Sequence, residues 1–76
     1  MVSACVLIYC DAGKFPAVLN EVKKLAGVKR AFSVLGRCDV VAEIEAVDVK
    51  TLSEITWKIT RLLGVTATET LMEALI

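Results

Sequence analysis

The 76-residue chain contains no histidine. That removes imidazole as metal ligand, general base and pH switch. It also leaves every serine and cysteine without the usual partner of a nucleophilic site. Proline occurs once and tryptophan once. Net charge is missing as well: nine basic residues balance nine acidic ones. A dedicated nucleic-acid binder needs excess positive charge to neutralise phosphates, so direct nucleic-acid binding is not expected. No apolar run is longer than Ala4 to Cys10, far short of the roughly 20 residues that span a bilayer. The opening Met-Val-Ser has no basic stretch of the kind that begins a signal peptide. No membrane association is expected. Cysteine is scarce and odd in number. Cys5, Cys10 and Cys38 fit neither a disulfide framework nor a zinc spacing, and free thiols point to a cytoplasmic protein. No metal and no cofactor are expected.

What is abundant is aliphatic side chain. The apolar fraction is 57%, and a chain this short hides only about 60% of its unfolded surface. More apolar surface exists than a lone core can cover. Self-association follows as the expectation, and disorder is excluded.

Val2 to Cys10 reads as a strand apolar on both faces. Val2, Ala4, Val6, Ile8 and Cys10 alternate with Ser3, Cys5, Leu7 and Tyr9. Such a strand sits centrally in a sheet. Lys14 to Ala26 reads as a helix with Pro16 in its first turn and a stripe of Val18, Leu19, Val22, Leu25 and Ala26. Gly27 is placed at its C′ position. Val28 to Leu35 and Val40 to Ala46 are strands, joined through the turn Gly36-Arg37-Cys38-Asp39. Asp48 is expected to cap a second helix, Val49 to Leu63, with Leu52, Ile55, Ile59, Leu62 and Leu63 inward and a Glu54–Lys58 pair outside. Gly64 ends it. Val65 to Ile76 begins as a strand of alternating threonines, and Met72 to Ile76 fits either a strand extension or a terminal turn.

The order β-α-β-β-α-β predicts a single α+β domain over residues 1–76. The expected fold is a ferredoxin-like sandwich: a four-stranded antiparallel sheet, strands one and three central, with two helices on one face. The other sheet face has no cover within the chain, and a second subunit's sheet is the expected one.

No catalytic set is visible, so the chain is read as a non-enzyme. Glu43 and Glu45 share a strand face and read as a solvated strip. Trp57 stands about 200° round the helix from Ile55. It fits either an indole lying along aliphatic stems or an anchor between subunits. The Gly36–Asp39 turn gathers backbone N–H groups, a guanidinium, a thiol and a carboxylate within four residues.

The string A-x-x-V-x-G-x-C-D-V-V-A (Ala31 to Ala42), then Asp48 with Leu52, then G-V-x-x-T-E-T-L (Gly64 to Leu71) resembles the effector-binding, or RAM, domain of the Lrp/AsnC transcription regulators. E-V-x-x-L (Glu21 to Leu25) and Gly27-Val28 agree with it. The resemblance spans nearly the whole chain and implies the same β-α-β-β-α-β fold. Full-length members place a helix-turn-helix before this domain; this sequence opens on the first strand and so resembles the stand-alone form. The resemblance implies a dimer formed through the sheets, and dimers assembled further into rings. It also implies an amino-acid effector bound between dimers. The effector site carried over is Gly36, Arg37, Cys38 and Asp39, with Thr68 and Thr70 facing them. Cys38 stands where the family often has an aromatic residue. The implied function is an oligomeric regulatory module acting by protein contact, with a full-length Lrp/AsnC regulator as a candidate partner. A cofactor-free enzyme of the dimeric ferredoxin-like type and an ACT-like regulatory subunit are the alternatives.

Overall fold

The computed structural model describes residues 1–72. Six elements follow in order: β1 (Val2–Cys10), α1 (Phe15–Lys23), β2 (Val28–Ser33), β3 (Val40–Ala46), α2 (Val49–Thr60) and β4 (Val65–Met72). The sheet runs β2-β3-β1-β4 and is antiparallel throughout. Strands one and three are therefore central, as the alternation of their side chains requires. The fold is ferredoxin-like. The expected question of strand or turn beyond Met72 lies outside the described residues. Among the described residues no helix is long and apolar enough to cross a membrane.

Period-2 patterning places the core. Ala4, Val6 and Ile8 of β1 and Val40, Ala42, Ile44 and Ala46 of β3 are all buried on one face. They pack against Val18 and Val22 of α1 and Leu52, Ile55 and Ile59 of α2. These helical residues recur at three- and four-residue spacing, which is one stripe of a 3.6-residue helix. The opposite face carries Cys5, Leu7 and Tyr9 of β1, Val41, Glu43 and Glu45 of β3, and Phe32 of β2. Among the described residues no further layer covers it.

Both helices end earlier than periodicity predicts. α1 stops at Lys23 rather than Ala26, and α2 at Thr60 rather than Leu63. The cause is a repeated device. Leu25-Ala26-Gly27-Val28 and Leu62-Leu63-Gly64-Val65 each form a four-residue turn closed by a bond from the valine N–H to the leucine carbonyl, at 3.3 and 3.2 Å. Gly27 has φ +93 and Gly64 φ +98. Each is the third residue of its turn, where a type II turn requires positive φ. The glycines thus belong to turns beyond the helix, not to the C′ position expected of Gly27. A β-carbon on Gly27 would collide with the end of the Ile55 side chain.

β2 ends at Ser33 and not at Leu35. The Val34 N–H bonds the Asp39 carbonyl at 3.1 Å, which turns the chain away from the sheet. Leu35 is left fully exposed. A bulge between Val28 and Arg30 sends both Lys29 and Arg30 to the uncovered face. There Lys29 pairs Glu45 at 3.7 Å and Arg30 pairs Glu43 at 3.9 Å. The Arg30 guanidinium also lies 4.4 Å from the Phe32 ring centre. The expected Glu54–Lys58 pair is not among the ion pairs of the described residues.

Asp48 caps α2 as expected: its side chain accepts the Thr51 N–H at 2.8 Å. Hydrogen bonding from Thr51, its side chain first and this backbone N–H second, favours the carboxylate and holds Asp48 below its usual 3.8. A depressed folded-state value means the contribution is present above the ordinary value and lost as pH falls through the folded one. Asp48→Ala is expected to lower the thermal midpoint at neutral pH, with the difference from wild type shrinking below about pH 4. Paired melting curves from pH 7 to acid check this; a constant difference would mean that the capping charge has no part in it.

Candidate functional site

Three connections meet at one end of the sheet: residues 11–14, 34–39 and 61–64. They are tied together by backbone bonds. The Asp11 N–H donates to the Gly64 carbonyl at 2.9 Å, and the Asp39 N–H to the Ile8 carbonyl at 2.9 Å. The strongest tie uses a side chain. The Cys10 N–H donates to Oδ2 of Asp39 at 2.8 Å, across 29 positions of sequence. Asp39 thereby fixes the β2–β3 connection to the end of the central strand. A carboxylate accepting a backbone N–H is a charge-assisted bond, stronger than a neutral one. Among the described residues no protein donor reaches its second oxygen.

Asp39 lines a cavity of about 220 Å³ together with Phe15, Ser33, Val34 and Leu35. Its wall is apolar from Phe15, Val34 and Leu35, with one carboxylate. Of the residues expected from sequence, only Asp39 lines it. Gly36 and Arg37 are exposed at the tip of the connection. A β-carbon at Gly36 would meet nothing within 4 Å. Cys38 is turned inward and only 9% exposed. Sequence reasoning misses Phe15 and Leu35. Periodicity assigns Leu35 to the end of a strand, and the signal available is an isolated large aliphatic residue beside the glycine of a turn.

Thr68 and Thr70 lie on β4, opposite Ile8 and Val6 of β1. They point to the helix side of the sheet. β1 separates them from β3, a distance of about 10 Å at ordinary strand spacing. Thr68 Oγ1 shares a hydrogen bond of 3.1 Å with Thr60 Oγ1 of α2. One chain therefore does not bring the threonines to the Gly36–Asp39 connection. A shared pocket would need two chains.

Cys10 sits half-buried beside this site. Burial first, then the charges of Asp39 and Asp11, push its thiol above its usual value. It is protonated at neutral pH, which makes it a poor nucleophile. All three cysteines are free thiols. A second, larger cavity of about 500 Å³ opens on the uncovered sheet face, lined by Ser3, Cys5, Lys29, Glu43, Glu45, Leu71 and Met72 among others. Ser3 Oγ donates to Glu45 at 3.5 Å there. Trp57 stands on the outer face of α2, 65% exposed.

The Lrp/AsnC ligand binding domain matches the chain over residues 3–73. Among solved structures, TTHA0845 from Thermus thermophilus is 34% identical, with a TM-score of 0.93, covering 100% of this chain and 96% of that one. E. coli AsnC is 21% identical with a TM-score of 0.90; 99% of this chain aligns to 52% of that one. The transcriptional regulator NMB0573 of Neisseria meningitidis, solved as its L-Met complex, is 16% identical with a TM-score of 0.82, covering 96% and 49%. This chain thus spans about half the length of those two regulators. No curated protein matches it.

Proposed function

Since the chain belongs to the Lrp/AsnC ligand-binding domain family, a family of regulatory small-molecule-binding modules, we propose that it is an oligomeric, non-enzymatic amino-acid sensor. It acts in the cytoplasm by protein contact, with a full-length Lrp/AsnC regulator among its candidate partners. The effector lies at an inter-dimer cleft built on the Gly36–Asp39 connection of one chain. Thr68 and Thr70 are contributed by another.

The chemistry of an α-amino acid matches this end of the domain. Its ammonium needs an anion, and Asp39 is the carboxylate of the connection. Oδ2 is committed to the Cys10 N–H; among the described residues the second oxygen is open. That half-committed carboxylate is the observation that carries the reading. A carboxylate already held by the backbone loses little freedom on binding a ligand, which favours affinity. The ligand carboxylate finds donors in the exposed N–H groups around Gly36. Arg37, exposed beside them, suits an acidic ligand side chain. Phe15 and Leu35 supply apolar wall. The L-Met complex of the Neisseria regulator supports an amino acid as the ligand class.

Calorimetric titration with each proteinogenic amino acid tests this. At least one is expected to give saturable heat with a defined stoichiometry per chain. Absence of saturable binding across the whole set would overturn the reading.

A further inference from the structure

We infer that the outer face of α2 docks an acidic segment of a partner protein that carries apolar side chains, through Trp57 and the cations beside it. The two helices differ in degree on their solvent sides. Lys24, just past the end of α1, pairs Glu21 at 3.1 Å, and Lys23 is the one α1 cation without an ion pair among the described residues. On α2, Lys50, Lys58 and Arg61 make no ion pair among the described residues, and the acidic residue Glu54 leaves the helix face with an excess of positive charge.

These cations are not scattered. At 100° per residue, Lys50, Lys58 and Arg61 fall on one side of the outer face. Val49, Thr56, Trp57 and Thr60 fall on the other, towards β4. Val49 is 54% exposed and Trp57 65%. The threonine hydroxyls are spent within the domain: Thr56 donates to the Ser53 carbonyl at 2.7 Å, and Thr60 donates to the Thr56 carbonyl at 2.9 Å and shares a bond with Thr68. Their methyl groups continue the apolar strip. An apolar strip edged by an indole that stands about 20° from Lys50 and about 40° from Arg61, and so bordered by unpaired cations, is the arrangement of an anchor with a polar rim. Lys50 lies about 10 Å from Trp57 along the helix one way and Arg61 about 6 Å the other, at 1.5 Å per residue. Carboxylates about three helical turns apart on a partner helix, with an apolar side chain between them, would reach both.

A second copy of this chain fits poorly. A two-fold contact of α2 on α2 would gather three unpaired cations and one carboxylate from each copy, an excess of like charge. A nucleic acid fits less well than an acidic peptide, because Glu54 interrupts the cationic side and a convex helix offers no groove for a strand. The inference does not rest on the effector site, although Thr60, on the β4 side of the strip, shares a hydrogen bond with Thr68.

The probe is a synthetic peptide of repeated Glu-Leu-Ala-Glu units, with a Gln-for-Glu version and a single-stranded oligonucleotide as comparisons. Trp57 is the sole tryptophan, so its emission reports directly. The acidic peptide is expected to give a saturable blue shift that weakens with salt. Lys50→Gln with Arg61→Gln is expected to weaken binding about tenfold. Trp57→Ala, followed by anisotropy of the labelled peptide, is expected to weaken it about thirtyfold. No saturable shift, equal binding of the Gln peptide, or tighter binding of the oligonucleotide would overturn the inference. So would a blue shift on concentrating the protein alone, which would make a second copy the occupant.

Discussion

Asp39→Ala is expected to damage the protein twice, and Asp39→Asn once. The carboxylate accepts the Cys10 N–H at 2.8 Å in a half-buried position. Alanine leaves that N–H without a partner and frees the β2–β3 connection, at a cost of about 1–3 kcal/mol. A domain of this size loses about 4–8 °C of melting temperature per kcal/mol. Alanine also removes the anion for the effector's ammonium, a loss of about 2–5 kcal/mol in binding. Asparagine separates the two. Its side-chain carbonyl can still accept the Cys10 N–H, so the melting temperature is expected to stay near wild type. Its lack of charge is expected to weaken effector binding by nearly as much as alanine does. Calorimetry and thermal melts on both variants decide the matter. Full effector affinity in folded Asp39→Asn would mean that the carboxylate only pins the turn, and would remove Asp39 from the site. Cys10 gives a further check. Losing the Asp39 charge should lower its thiol towards the usual value, with burial still opposing, so alkylation at mildly alkaline pH should quicken in Asp39→Asn.

Leu7→Glu is expected to convert the assembly to monomers of 8.2 kDa. Leu7 lies at the middle of the central strand on the uncovered sheet face, opposite Val41 on one side and Glu69 on the other. A sheet-to-sheet dimer would bury it. A glutamate there brings a second carboxylate beside Glu69 and takes both out of water without a partner. Breaking the balance of a buried charge in this way costs about 3–5 kcal/mol, roughly a hundredfold to several thousandfold in dissociation constant. The side chain points away from the helices, so the fold should persist, and circular dichroism verifies that. Light scattering reads the outcome. Wild type is expected to be a dimer or larger at micromolar concentration, where interfaces of standard size hold. A monomeric wild type, or an assembled Leu7→Glu, would remove the sheet face from the interface.

The domain's architecture is legible because its signals are local. Val6, Ile8, Val40, Ala42 and Ile44 alternate with polar or half-buried neighbours, and a period of two places them on one face whatever they pack against. Val18, Val22, Leu52, Ile55 and Ile59 mark helical faces by spacing alone. Asp48 meets Thr51 three residues on, within the reach of a cap. The central placement of β1 follows from its having no polar face.

The candidate site is legible only in part. Composition names the Gly36–Asp39 connection, but not which of its side chains face outward. Cys38 turns inward while Arg37 does not, and nothing in four consecutive residues distinguishes them. The bond from Cys10 to Asp39 depends on β1 and β3 lying side by side, which joins residues 29 apart. Phe15 reaches the same cavity from the start of α1. Thr68 and Thr70 are legible as one face of β4, yet β1 stands between them and the connection.

By itself, then, the sequence determined the order of the elements, their inward faces apart from Ala26 and Leu63, which are exposed, the cap of α2 and the excess of apolar residues that makes a partner the expectation. Each is a property of neighbouring residues or of composition. The helix ends are local as well, set by the Leu-x-Gly-Val turns whose closing bonds compete with the last helical ones; tertiary structure decided the rest. It decided that a bulge sends Lys29 and Arg30 to the same sheet face. It also decided that Leu35 is exposed, and that one oxygen of Asp39 is held by β1 while the other is open. Those outcomes depend on pairings between residues distant in the chain, and only the folded backbone sets such distances.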